Sequence, residues 1–268
     1  MITSGISVLG QTKNTPNIET KAKKKSHIST GYKLVWDDEF NEKSLDTTKW
    51  NIEVNGKGGG NNELQYYTNS PKNLYIKDGH LFIVALKQSY KGKSYTSARI
   101  NTKGKETWKY GRFEMRAKIP TGRGTWPAFW LLGEDIGKVG WPACGEVDIM
   151  ENVGFDPLWI HGSIHTPSSY GSTVNTGRNA LPDSHTQFHI YGVTWTPKNI
   201  SFFIDNPAKP YYTYDPSVKN ASTWPFDQPL FMILNVAIGG GWGGKKGIDN
   251  SIFPTAMEVD YVRVYQYK

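Results

Sequence analysis

Three carboxylates fall within the stretch "PACGEVDIMENVG", residues 142–154: Glu146, Asp148 and Glu151. Glu146 and Asp148 are two apart, as neighbours on one face of a strand should be. Glu151 follows three later, which on a regular strand puts it on the opposite face. That face would be the core, where an unpaired carboxylate is costly. One extra residue at Ile149–Met150 corrects the phase. A bulge there keeps Val147, Ile149 and Met150 inward and brings all three acids onto one face. Two carboxyl groups on one surface are the equipment of glycoside hydrolysis, with retention at a separation of about 5–5.5 Å and inversion at about 6.5–9.5 Å. Side chains leaning together on one strand favour the shorter separation. Asp148 lies between the glutamates, placed to hydrogen-bond to either and to split their proton affinities.

The elements that must position these acids read as short strands. "LFIVAL" (81–86), "FEMRAKI" (113–119), "IYGVTW" (190–195), "ISFFID" (200–205) and "YVRVYQY" (261–267) are rich in β-branched and aromatic residues. Turn signals such as "KDGH", "PTGRG" and "DNPAKP" separate them. No segment keeps a helical period for three turns, and no solenoid or propeller repeat is visible. The expectation is one all-β domain, an antiparallel β-sandwich of jelly-roll type with a concave substrate cleft. Parity sorts its faces. Trp126, Ala128 and Trp130 share one side of "WPAFWLL"; His161, Ser163 and His165 share one side of "IHGSIHT"; Arg99 stands opposite Ala98 and Ile100. Each segment pairs an apolar face with one bearing Trp, His, Arg or carboxylates.

Composition narrows the class. The chain has 268 residues, with 10 Trp, 15 Tyr and 11 Phe; much of that is core, and it also fits the exposed aromatic faces of polysaccharide clefts. A single cysteine, Cys144, excludes an intramolecular disulfide and reads as core filler. No apolar run approaches the ~18 residues of a membrane helix. Of the net charge of +7, residues 1–32 supply +4, five lysines against Glu19. That segment, rich in Ser, Thr, Asn and Lys, reads as a disordered solvated tail or leader remnant, without the aromatic interleaving of a nucleic-acid arm. The catalytic domain is expected over 33–268. The Gly-rich "GGGWGG" is no phosphate cradle, since no Lys-Ser/Thr follows at a helix start. No His/Cys set has zinc spacing.

The acids, together with "GTWPAFWLLG", "WPACGEVDIME", "IHGSIHTP", "LNVAIGG" and "MEVDYVRVYQ", resemble glycoside hydrolase family 16, in its laminarinase branch of endo-1,3-β-glucanases. The resemblance runs in order over about 33–268. It implies Glu146 as nucleophile, Asp148 as assisting acid and Glu151 as general acid/base. The longer E-x-D-x-x-E spacing is similar to that of laminarinases, agarases and carrageenases rather than to the E-x-D-x-E of lichenases. The resemblance supports Trp126 and Trp130 as sugar-stacking rings and further implies Arg99 and Asn61 in "GGNNELQYY" as substrate contacts; His165 is expected at a subsite, and Trp242, in a Gly-rich loop with few core neighbours, is expected in the cleft. It implies no cofactor for catalysis but a structural Ca²⁺ on the convex side, held by Asp260 and the carbonyls of Glu39 and Gly79. The expected partner is a β-glucan polysaccharide, met by a monomeric, secreted or cell-surface protein with no nucleic-acid role. The alternatives are a non-catalytic glucan-binding protein on the same fold, and a family enzyme acting on mixed-linkage glucan, agarose or carrageenan. Retention of both glutamates favours the enzyme.

Overall fold

The computed structural model describes Met1 and residues 31–268. The expectation of a disordered tail concerns residues that lie, from 2 to 30, outside the described residues. In chain order the strands are β1 (Tyr32–Asp38), β2 (Asn51–Ile52), β3 (Gln65–Tyr67), β4 (Leu74–Lys77), β5 (His80–Ala85) and β6 (Tyr95–Ser97). Then come β7 (Arg99–Asn101), β8 (Gly111–Lys118), β9 (Thr125–Gly133), β10 (Glu146–Glu151), β11 (Trp159–His165) and β12 (Thr176–Ala180). The series ends with β13 (His189–Trp195), β14 (Ile200–Ile204), β15 (Tyr212–Tyr214), β16 (Leu230–Ile238) and β17 (Thr255–Tyr267). A four-residue helix, α1 (Ile136–Val139), is the longest α-helical element among the described residues.

Two antiparallel sheets pack face to face. One runs β15-β14-β13-β8-β17-β5-β4, with β1 added on β17; the other runs β12-β11-β10-β9-β16-β7-β2. Such a layered pair is the jelly-roll sandwich the alternating patterns predict. Phe129, Leu131, Val147, Ile160, Ile164, Leu234 and Val236 from the second sheet meet Leu81, Phe113, Met115, Tyr191, Val193 and Val262 from the first, all at most 1% exposed. Each such side chain contributes roughly 1.5–3 kcal/mol relative to exposure. In β16 every residue is buried, in "LFMILNVAI". Leu230, Met232, Leu234, Val236 and Ile238 enter the core. On the other side Phe231 and Ile233 close over Leu132 and Cys144 in a second small cluster beneath Trp130. The cysteine is thus the core filler its sequence setting suggests.

The phase correction in β10 is present. Against β9, Asp148 pairs with Trp130, Met150 with Phe129 and Glu151 with Ala128. Against β11, Asp148 pairs with Ser163 and Glu151 with His161. Ile149 and Met150 together take one step of the ladder and both point inward, 1% and 0% exposed. A bulge of this kind re-aims the residue that follows it.

Candidate active site

Three cross-strand rows tile the outer face of the second sheet. One holds Phe231, Leu132, Glu146 and His165; the next Ile233, Trp130, Asp148, Ser163 and Thr176; the third Asn235, Ala128, Glu151 and His161. Arg99 on β7 extends the third row beside Asn235. Loops raise walls around this floor and enclose a cleft of about 780 Å³ lined by all three acids. Trp126, Trp130, Arg99, His165, Asn61 and Trp242, the contacts expected from the sequence, all line it too.

The acids are nearly enclosed, with Asp148 4% and Glu151 9% exposed. Trp126 Nε1 donates to Glu151 Oε1 at 2.8 Å. Burial, then the neighbouring Asp148, push the Glu151 carboxyl up to about 8. Burial alone pushes Asp148 to about 8. Glu146 is also driven upward, by burial and then by Asp148, while His165 and Arg99 pull the other way. Trp141 Nε1 donates to Glu146 Oε2 at 3.1 Å. With Asp148 and Glu151 carrying protons near neutral pH, their like-charge pressure on Glu146 is lifted. His165 and Arg99 are the groups that pull Glu146 back toward its anion, so of the three acids it is the one with charged neighbours of opposite sign.

Asp148 does not bridge the glutamates by hydrogen bonds, as the spacing suggested. Its Oδ2 lies 3.0 Å from His165 Nε2, which also stands 3.7 Å from Glu146 Oε1. The antiparallel register places β11 beside β10, and that adjacency is not encoded in the local motif.

The aromatic residues are held by their edges. Trp130 Nε1 donates to Asn235 Oδ1 at 2.8 Å, and the Arg99 guanidinium lies 4.8 Å above its ring. Arg99 Nε is paired to Glu53 at 2.9 Å, so the arginine is braced from outside the cleft and covers one indole face. Trp242 stands edge-on to both Trp126 (5.6 Å) and His161 (5.0 Å), and closes that end. Asn61 Nδ2 donates to Glu63 Oε1 at 3.3 Å.

Sequence reasoning missed several members of the site. Glu63, 5% exposed, accepts from Gln65 and Tyr67, and Tyr67 in turn accepts from Asn235 Nδ2 at 3.3 Å. A chain of hydrogen bonds thus runs from the Asn61 loop to the Trp130 indole. Its legible signal was Asn235 itself, a polar residue inside an apolar run. Trp141, exposed at 44%, packs edge-on against Tyr170 at 5.3 Å and beside His165 at 5.9 Å. Its signal was a tryptophan in a Gly/Pro loop, where core neighbours are few.

The three residues expected to hold calcium, Glu39, Gly79 and Asp260, sit just after β1, in the β4–β5 turn and on β17. The pairing of β1 with β17 does bring "DDEF" and "EVDY" together, with Asp38 opposite Val262. Gly79, in the turn before His80, follows β4 with a positive φ of 72°. But Asp260 Oδ2 is bonded by Arg116 Nη1 at 2.5 Å, and its Oδ1 lies 3.3 Å from His80. The Glu39 carboxylate is forked by Arg263, at 2.6 and 2.9 Å. Ca²⁺ takes six to eight oxygen ligands. These side-chain pairings leave the carbonyl oxygens of Glu39 and Gly79, the ligands the resemblance implies, unoccupied by them.

Known proteins resemble the chain in sequence and fold. The family model for glycosyl hydrolases family 16 matches residues 61–263. A beta-glucanase of Rhodothermus marinus is 46% identical over 88% of this chain and 86% of its own. A glucan endo-1,3-beta-glucosidase of Cryptopygus antarcticus is 37% identical over 87% of this chain and 92% of its own. The crystal structure of a laminarinase from Flavobacterium sp. UMI-01 superposes with a TM-score of 0.82 at 45% identity, over 87% of this chain and all of that one. Matching over most of its length in both sequence and fold, the chain belongs to glycosyl hydrolases family 16.

Proposed function

We propose that the protein is a retaining endo-1,3-β-glucanase that cleaves internal β-1,3 bonds of laminarin-like glucans. The observation that carries this reading is the bulged β10, which sets Glu146 and Glu151 on one floor with Glu151 pushed up to about 8. At neutral pH Glu151 can therefore give a proton, and Glu146 can attack. In the first step a Glu146 oxygen bonds to the anomeric carbon, the glycosidic C–O bond breaks, and the Glu151 proton goes to the departing oxygen. In the second, Glu151, now a carboxylate, takes a proton from water. That water oxygen bonds to the anomeric carbon from the opposite side and expels Glu146. Two inversions leave the configuration unchanged. No cofactor enters either step.

Asp148 has the role of a neutral acid beside the nucleophile. Against His165 it steadies Glu146 without adding a second negative charge. Trp126, Trp130, Arg99, Asn61 and Trp242 are assigned to sugar binding on the evidence of their placement in the cleft. The similarity to proteins named as beta-glucanase and glucan endo-1,3-beta-glucosidase supports the linkage. Among the described residues no helix is long and apolar enough to cross a membrane. A polymeric substrate places the enzyme outside the cell or at its surface, acting as a monomer through residues 33–268.

Parallel assays on laminarin, lichenan, agarose and carrageenan test the substrate class. Laminarin should be cleaved fastest, with internal cuts; exclusive hydrolysis of agarose or carrageenan would reject it. NMR of the first-formed product should show the β-anomer, and an initial α-anomer would remove Glu146 as nucleophile.

A further inference from the structure

His161 and His165 stand four apart in the sequence, but the donor set the fold assembles joins His165 to two carboxylates instead. One donor atom each from Glu146, Asp148 and His165 lies within 4.8 Å of the other two. His165 Nε2 is 3.0 Å from Asp148 Oδ2 and 3.7 Å from Glu146 Oε1. Ligands at 2.0–2.2 Å around a tetrahedral ion stand about 3.3–3.6 Å apart. Two of the three separations bracket that value and the third lies within 4.8 Å, so a zinc-sized ion fits once the carboxylates draw in around it.

Two further observations point to a ligand here. Asp148 is 4% exposed and faces the cleft, but its Oδ2, sealed from solvent, receives no hydrogen bond of sound geometry. Among the described residues the ion-pair contacts of Glu146 and Asp148 are with His165 alone, since Arg99 is engaged by Glu53. A divalent cation with neutral imidazole would balance the two carboxylates. The open side of the cleft leaves a fourth position for water.

We propose that Glu146, Asp148 and His165 form an inhibitory transition-metal site, with Zn²⁺ as the fitting ion, that closes the active site when occupied. One nitrogen and two carboxylate donors over so small a span suit Zn²⁺ or Co²⁺ and fall short of the six to eight oxygens Ca²⁺ needs. His165 Nδ1, on the far side of the ring, is buried without a partner. A resident metal's histidine normally has that nitrogen held by an acceptor. Its absence marks an exchangeable site. A bound ion takes the nucleophile's oxygen, so metal and glucan exclude one another. The inhibition rests on the glucanase reading; the binding does not.

The full chain is titrated with Co²⁺ alone, and the visible d–d bands of a low-coordinate site are followed. Wild type should develop them, Zn²⁺ should abolish them, and Mg²⁺ or Ca²⁺ should not. Asp148→Asn and His165→Gln, with melting checked, should weaken binding by ~10-fold or more. Glu151→Gln, outside the trio, should bind Co²⁺ like wild type although it does not turn over. Zn²⁺ should raise KM for laminarin and leave kcat unchanged. Absence of the bands, or bands that persist in His165→Gln, would overturn the site. Inhibition with unchanged KM would place the metal elsewhere. If the enzyme failed on every glucan but Co²⁺ bound as expected, only the functional reading would fall.

Discussion

The outer faces of the two sheets treat their charges in opposite ways. On the first sheet the charges are paired: Glu39 with Arg263, Glu258 with Lys118 and His80, and Asp260 with Arg116 across strands, and the buried Arg112 with Glu114 along β8. On the second sheet three acids stand together, almost enclosed, with one imidazole near two of them and no lysine or arginine ion-paired to them among the described residues. Cross-strand opposite charges stabilise a sheet, and like charges destabilise it. The first face is therefore built for stability. The second holds an electrostatic penalty that only protons, substrate or a metal can relieve, which marks it as the working surface.

Replacing the carboxylates breaks that contrast most severely. Glu146→Gln and Glu151→Gln should each reduce hydrolysis of laminarin by at least ~10²–10⁴-fold while the fold survives. Near wild-type turnover in either would refute the role assigned to it, and loss of cooperative melting would make the residue structural.

Deleting Met150 sharpens the role of the bulge. The change restores an unbulged E-x-D-x-E row but moves Asn152 and Val153 across faces. Both are now 1% exposed, so the shift must disturb packing. Melting should fall and laminarin activity should be lost. A deletion variant with unchanged melting and activity would show that the bulge does nothing.

The pH dependence follows from Glu151. Its carboxyl must be protonated to act as acid, so kcat/KM should fall as pH rises through about 8. The sign for stability is the same. Burial raises the folded pKa above the ordinary 4.5, so the folded state holds a proton that the unfolded state has lost. This part of the stability is fully present below about 4.5 and declines as pH rises toward about 8. Glu151→Gln should therefore melt higher than wild type at pH 8, with the difference shrinking at pH 4. A basic limb that persists in the residual activity of Glu151→Gln, or a melting difference of opposite sign, would contradict this.

Smaller effects belong to the supports. Asn235→Ala removes the acceptor of the Trp130 indole and should raise KM more than it lowers kcat; an unchanged KM would detach the Glu63–Tyr67–Asn235 chain from sugar binding. On the first sheet, Glu39→Gln should cost at most about 1 kcal/mol, because the pair is partly exposed and screened. It should leave activity untouched. A drop in melting on adding a chelator would support a structural Ca²⁺ at Asp260, Glu39 and Gly79, and unchanged melting would remove it.

Much of the molecule was legible in the chain. Period-two alternation in "FEMRAKI" and "IYGVTW" named strands to within about two residues, because burial of one sheet face writes itself into sequence. The odd step from Asp148 to Glu151 disclosed the bulge, since the alternative was a buried unpaired acid. The same parity put Trp126, Trp130, Arg99 and His165 on one surface. β1 begins at Tyr32, one residue ahead of the boundary at 33, as its partner Tyr267 dictates.

Only the tertiary structure decided which of these faces touch. Local spacing sets the side of a strand on which a residue stands; long-range pairing sets its neighbours. That is why Asp148 meets His165 rather than a glutamate, and why Trp141, five residues before Glu146, turns its indole N–H back onto the carboxylate. It is also why Asp260 is claimed by Arg116 across an adjacent strand, where sequence alone left it available to a metal.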